Sequence, residues 1–462
     1  MNLQPFYRQV EQDVLGAMKK PSVWYWIALV FSAGAFVGGL GAWGYQILTG
    51  MGVAGIGHPV GWGVYITNFV FWVGIAHSGT LISAVLFLFR ARFRSAFNRI
   101  AEAMTVIAVM TAGLYPLIHL GRVWRFYYLL PYPHERLLWV NFRSPLIWDV
   151  FAVSTYLTIS LIFFYVGMIP DLAAARRHFT GIRQWVYKVL SLGWEGTSDQ
   201  WRHYNRLYIF LAAFATPLVV SVHSVVSWDF AMSIVPGWHS TIFAPYFVAG
   251  AIFSGTAMVI TLTVPMRKIL KIEKYITVDH YEKLSKVLLV TALIVSFSYI
   301  VEMALAAYSG NIFETTVFKY RLLGHYRYLF WLMLFCNVLL PLSLFVRKLR
   351  RNIKFLFVLS LFVNVGMWLE RFNIIITSLA REYNPYSWGT YTPRLVEIGI
   401  SIGSFGMFFT FFLIFSKVLP VLSISEIKEN LPSATRGALF EKTAPLDPPQ
   451  KLLIISQEGA EK

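Results

Sequence analysis

Residues 145–168 read PLIWDVFAVSTYLTISLIFFYVGM, a run whose one charge is Asp149. A hydrocarbon core about 30 Å thick takes roughly 20 apolar residues of helix to cross, so this stretch predicts a membrane helix. An ionisable residue inside such a helix is costly unless it is paired or faces water. Asp149 therefore belongs either to a structural network or to a site.

Similar runs recur along the chain and predict membrane helices at 23–48, 62–89, 100–120, 145–168, 208–230, 241–265, 286–308, 327–346, 355–379 and 395–418. The composition agrees: 57% hydrophobic, 17% aromatic, 14% charged, mean hydropathy +0.58, where soluble domains carry about 25% charged residues. The runs are continuous rather than alternating, which argues against a β-barrel. The expected fold is an all-α integral membrane protein.

The net charge of +17 does not point to nucleic acid, because the basic residues concentrate in alternate loops. Loops 90–99, 170–206, 266–285 and 347–354 are basic, while 49–61 and 231–240 carry no formal charge. By the positive-inside rule the basic loops and, with ten helices, both termini are cytoplasmic. A multi-pass membrane location follows. Two outer loops depart from the rule: 121–144 holds Arg122, Arg125, Arg136 and Arg143, and 309–326 holds Lys319 and Arg321. They are either tolerated charges or a docking surface for an extrinsic partner.

Residues 1–22 show no cleavable signal peptide, and 3–18 are either a short amphipathic helix on the membrane surface or a solvated leader. The tail from 421 is polar, with a proline-rich stretch from Pro445 to Gln450, and is expected to be flexible or wrapped on a neighbouring subunit. Cys336, the one cysteine, rules out an internal disulfide and an iron–sulfur cluster held by this chain alone. It reads as a packing residue.

Residues 71–80, FWVGIAHSGT, and 247–256, FVAGAIFSGT, share Phe, Gly and Ser-Gly-Thr at identical spacing. The matched helices run in the same direction, so the repeat is parallel. It divides the chain into an N-terminal segment (1–22), a first flanking helix with its outer loop (23–61), a four-helix bundle (62–232), a second bundle (233–380), a last flanking helix (381–420) and a tail (421–462). The chemistry is uneven: His77 stands against Phe253, and a looser match sets Asp149 against Leu332.

With this topology His119 at the end of the third helix, Asp149 at the start of the fourth and Asp229 at the end of the fifth meet at the outer face. A histidine with an unperturbed pKa of about 6.5 and a carboxylate suit a molecule that gives up protons together with electrons. Quinol oxidation is such a reaction, and Trp148 and Trp228 are candidate stacking faces. His77, His223, Tyr299, Glu302, Glu370 and Arg371 are further polar residues within the spans, read either as a proton path or as structural pairs, Glu370–Arg371 as an inter-helix ion pair. His77 and His223 are the one histidine pair suited to bis-His haem, with no second clean pair, so a cytochrome b-like reading ranks lower. No metal site is expected.

The block from Gly74 to Met110, and above all GLYPLIHLGRVWRFYYLLPYPHERLLWVNFRSPLIWDVFAVSTYLTISLIFFYVGMIPDLA over 113–173, resembles the NrfD/polysulfide-reductase membrane-anchor family. It is most similar to the quinol-oxidising ActC-type subunits of bacterial alternative complex III. The resemblance implies a haem-free subunit that binds menaquinol or ubiquinol near the periplasmic face, with His119, Asp149 and Asp229 at the quinol site. It further implies electron transfer to a periplasmic iron–sulfur subunit and on through c-type cytochrome subunits towards a terminal oxidase. A second NrfD-like membrane subunit and bound lipids are expected as neighbours, and proton translocation is left open. A proton-coupled secondary transporter and a purely structural anchor of a redox complex are the alternatives.

Overall fold

The computed structural model describes residues 4–19, 21–131 and 144–429, which are helical with no strand among them. Ten helices are long and apolar enough to cross a membrane: α1 (Val23–Thr49), α2 (Val64–Leu88), α3 (Asn98–Leu120), α4 (Pro145–Ala175), α5 (Ser198–Ala231), α6 (Phe243–Ile269), α7 (Val278–Tyr308), α8 (Arg327–Phe345), α9 (Ile353–Leu379) and α10 (Leu395–Val418). Each predicted segment is present. Several helices outrun their apolar stretch, because caps rather than hydropathy decide where a helix starts. At the head of α5 the Thr197 hydroxyl accepts from the Gln200 N–H at 3.3 Å, and the Gln200 side chain accepts the Thr197 N–H in return, a capping box that begins the helix well before residue 208. Thr277 and His280 do the same for α7.

Helices α2, α3, α4 and α5 form a ring in which each packs on the next and α5 closes on α2. A second ring runs α6, α7, α8, α9 and closes on α6, and α2, α5 and α9 join the two rings along a seam with α6. Helix α10 lies along α1 and against α2 and α3. The repeated Ser-Gly-Thr motif makes these approaches possible, since small residues let helix backbones close up in lipid. A side chain at Gly255 would lie 2.6 Å from the Ile75 carbonyl and run into Ser78, while one at Gly79 would collide with Ala101 and Thr105. The two motif glycines thus serve different neighbours, Gly79 within the first ring and Gly255 across the seam.

The amphipathic N-terminal helix is present as Gln4–Gly16, but its apolar face is turned to protein rather than lipid. Val10, Val14, Leu15 and Met18 are buried. Glu11 pairs with Lys428, and Asp13 with Lys274 and, at 2.8 Å, with Tyr275. The start of the polar tail likewise folds back on its own chain. Val421 to Ile424 are buried, the Ile424 N–H donates to Asp171 at 3.1 Å, and Glu426 accepts from Arg94 at 3.0 Å and Asn98 at 3.1 Å. Residues 430–462, with the Pro445–Gln450 stretch, lie outside the described residues.

Arg94 and Arg99, read as part of a basic loop, are buried instead. Arg99 donates to Glu102 at 2.8 Å, Asp171 at 2.9 Å and the Gly167 carbonyl at 2.6 Å. A network of this depth holds only while its partners are all present.

Gly255→Val is expected to lower the thermal unfolding midpoint of the detergent-purified protein, with a cost of about 1–3 kcal/mol typical of overpacking. Gly113→Ala, whose added carbon meets nothing within 4 Å, should not lower it.

Candidate functional site

Helix α4 begins with Pro145 in its first turn, a position where the missing N–H is harmless, and this places Asp149 one turn in. Helix α3 ends at Leu120, one residue after His119, and is capped by Gly121 with a φ of 72°. Helix α5 ends two residues after Asp229, at Ala231. The end of α3, the start of α4 and the end of α5 therefore meet at one end of the first ring.

There the Asp149 and Asp229 carboxyls are neighbours, and one oxygen of each is buried with no hydrogen-bond partner among the described residues. Two buried carboxyls side by side do not both ionise readily, so such a pair can share a proton. Trp148 and Trp228, the residues immediately before them, pack edge to face at 6.1 Å and 82°. They do not form two parallel walls around a flat ring. The third member, His119, lies at the same end of the ring, and its Nδ1 is buried with no hydrogen-bond partner among the described residues. Beside it the Gln46 amide donates to the Ile118 carbonyl at 3.1 Å and accepts from the Tyr65 hydroxyl.

The remaining polar candidates form a belt across the seam. His77 stacks on Tyr156 at 4.6 Å and 11° and touches His223 at 4.7 Å. Phe247 lies between His223, at 5.9 Å, and the Arg371 guanidinium, at 4.7 Å. Arg371 pairs with Glu370, which accepts from the Tyr299 hydroxyl, and Asn337 donates to that hydroxyl at 2.9 Å. Asn337 sits in a π-helical turn of α8, Phe335–Leu339, a local widening that often marks functional positions. Glu302, one turn from Tyr299, lines a cavity of about 20 Å³ together with Tyr299 and Glu370, enough for one water. His223 precedes Asp229 by six residues of α5, about 9 Å along the helix.

Two readings change here. Glu370 and Arg371 are neighbours on α9, so their pair lies within one helix and does not tie two together. Arg321 is no docking residue, because it is buried and donates to Thr377 at 2.9 Å and Ser378 at 3.0 Å. Arg122 remains exposed, Arg125 donates to Tyr127 at 2.9 Å and Tyr128 at 2.7 Å, and Arg136 and Arg143 lie outside the described residues. The His77 and His223 rings touch each other, which leaves no room for a porphyrin between them.

Sequence reasoning misses the charged and polar set below the first ring. Glu102, three residues after Arg99 and inside an apolar run, is the available signal, since that spacing puts both on one helix face. Tyr156 and Asn337 carry no comparable signal.

A ten-helix membrane protein with paired carboxyls at one end of its first bundle is the class of molecule defined so far. Residues 52–381 match the family described as polysulphide reductase, NrfD. The chain belongs to that family and is a multi-pass integral membrane protein. It is 28% identical over 390 residues, 79% of this chain and 84% of the relative, to a putative dimethyl sulfoxide reductase membrane subunit of Halobacterium salinarum. It is 21% identical to a selenate reductase subunit of Mesobacillus selenatarsenatis, over 47% of this chain and 51% of that one. A shorter match, 25% identical over 32% of this chain and 35% of the relative, is to the Hdr-like menaquinol oxidoreductase integral membrane subunit of Archaeoglobus fulgidus.

Arg371→Met alone is expected to destabilise the purified protein by roughly 3–5 kcal/mol, because it leaves Glu370 buried without its cation. The double variant Glu370→Met/Arg371→Met should cost clearly less than either single change, as read by thermal unfolding.

Proposed function

We propose that the chain is the membrane subunit of a respiratory quinol:acceptor oxidoreductase of the alternative complex III type, and that it oxidises quinol at the end of the first bundle. The observation that carries this reading is the neighbouring pair Asp149–Asp229, placed beside two tryptophans and at the same end as His119, whose Nδ1 has no partner among the described residues. Oxidising a quinol releases two electrons and two protons. The carboxyl pair takes and passes one proton by sharing it between its members. His119, whose buried Nδ1 has no partner among the described residues, is a suitable partner for the second hydroxyl. The electrons leave to a partner, because the single cysteine of this chain cannot hold an iron–sulfur cluster.

The carboxyl-bearing end then faces the periplasm across a bacterial inner membrane, an orientation that the basic loops support. A periplasmic iron–sulfur subunit is then the electron acceptor, c-type cytochromes and a terminal oxidase follow it, and a second NrfD-like subunit lies alongside. The names of the relatives support a redox complex, and one of them names menaquinol. In this reading the belt His77, His223, Arg371, Glu370, Tyr299 and Glu302 is the inner part of a proton path that begins near Asp229.

Asp149→Asn in the intact complex is expected to lower quinol:cytochrome c turnover by about 100-fold or more, the scale of a lost proton acceptor, with subunit stoichiometry unchanged. His119→Ala should follow in the same direction. Unchanged turnover in both variants would sink the assignment and leave the chain an anchor, with quinol oxidised in another subunit.

A further inference from the structure

The amphipathic helix at the start of the chain has its apolar face covered by protein. A second short helix, Ile182–Leu190, lies inside the basic segment 170–206 and leaves its apolar face bare. Ile182, Trp185 and Val189 recur at the spacing of one helix face and are 83%, 66% and 52% exposed, and Leu192 just beyond the helix is 68% exposed. Gln184 and Lys188, one turn apart on a neighbouring face, are exposed as well. Tyr187 is buried and Leu190 packs against the core. The helix thus has one side on the protein and, turned outward, one apolar side and one polar side.

Its depth is set by three hydrogen bonds. The Tyr165 hydroxyl, inside the apolar run of α4, donates to the Leu190 carbonyl at 2.9 Å. The Tyr187 hydroxyl donates to the Val418 carbonyl at 2.6 Å and Arg183 to the Lys417 carbonyl at 2.8 Å, the last two residues of α10. The helix is therefore held where α4 and α10 leave the hydrocarbon. Leu161 and Ile162, about one turn from Tyr165, are exposed, so α4 faces lipid beside the point where Leu190 attaches.

Tryptophans mark the same level, as they do at membrane–water boundaries. Besides Trp185 there is Trp194, which packs edge to face on Trp201 near the head of α5 at 5.1 Å. Glu195 and Asp199 are exposed acids of the segment, and Asp199 pairs with Arg202 at 3.2 Å. Arg177, Lys188 and Arg206 are exposed cations in no ion pair among the described residues. Free cations beside a bare apolar face match a phospholipid leaflet, whose phosphates lie just outside its acyl chains.

We propose that Ile182–Leu190 is an in-plane membrane helix: Ile182, Trp185, Val189 and Leu192 enter the acyl region of the adjacent leaflet, and Lys188 lies among the phosphates. The segment between α4 and α5 is then seated in the membrane and is not a solvated loop. This seat does not depend on the carboxyl pair or on the identity of the substrate.

The test uses the intact complex in phospholipid vesicles, carrying Cys336→Ala and a nitroxide label attached through Trp185→Cys or Gln184→Cys. Collisions of each label with dissolved oxygen and with a water-soluble nickel chelate report its depth. The label at position 185 is expected about 5–10 Å inside the head-group boundary, open to oxygen and shielded from nickel, and the label at position 184 at or above the phosphates. Ile182→Cys, on the same face, should repeat the depth found at 185 and serves if the tryptophan is needed for assembly. Nickel reaching positions 182 and 185 as readily as 184 would put the face in water. Shielding of 182 and 185 from both reagents would put it against another protein or a second copy of this chain. Either result would overturn the proposal.

Discussion

Helices in lipid are not driven together by the hydrophobic effect, because the surrounding chains are as apolar as their own side chains. They stay together where backbones come close enough for dense packing and where polar groups find partners. In this chain α2 supplies both conditions. Its Gly79 receives α3, its Ser78 face receives Gly255 of α6, and Ser78 and Thr256 come within 3.5 Å of each other. Through these contacts α2 becomes the helix around which both rings are arranged. The belt from His77 to Arg371 crosses the seam because α2, α5, α6 and α9 all converge there.

Most of the buried charge in the molecule is neutralised locally. Arg99 is held between Glu102 and Asp171, Arg94 by Glu426, and Arg371 by Glu370. Against that background one exception stands out. Asp149 faces another carboxyl, with no cation beside it among the described residues. A structural network has no use for that arrangement, since it leaves a lipid-embedded acid short of compensation. A molecule that handles protons has a use for it.

Much of this was legible in the sequence. Hydropathy finds ten helices because the bilayer sets their length, and it misplaces ends such as that of α5 because Thr197 and Gln200 cap the helix outside the apolar run. The repeat marks the small-residue contacts but does not say which neighbour each glycine meets. Helix order alone brings Asp149 and Asp229 to one end, and the structure adds their contact. Whether His119 joins them is not a matter of topology, since it depends on side-chain direction at the end of α3. Arg321 and Arg94 read as loop charges because a loop's sequence does not reveal which of its side chains turn inward. The pairings that bury them, with Thr377 and with Glu426, lie far away along the chain.

The closing of the first bundle by Glu426 also has a consequence for how the protein is made. Arg94 and Asn98 precede Glu426 by 332 and 328 residues, so the ribosome has synthesised nearly every helix before their acceptor exists. Until then the lower end of the first bundle holds a cation without its counter-charge, and water or lipid head groups must stand in. Among the described residues that end is the last to be completed, and a nascent chain stalled before residue 426 would carry ten membrane helices with an open base.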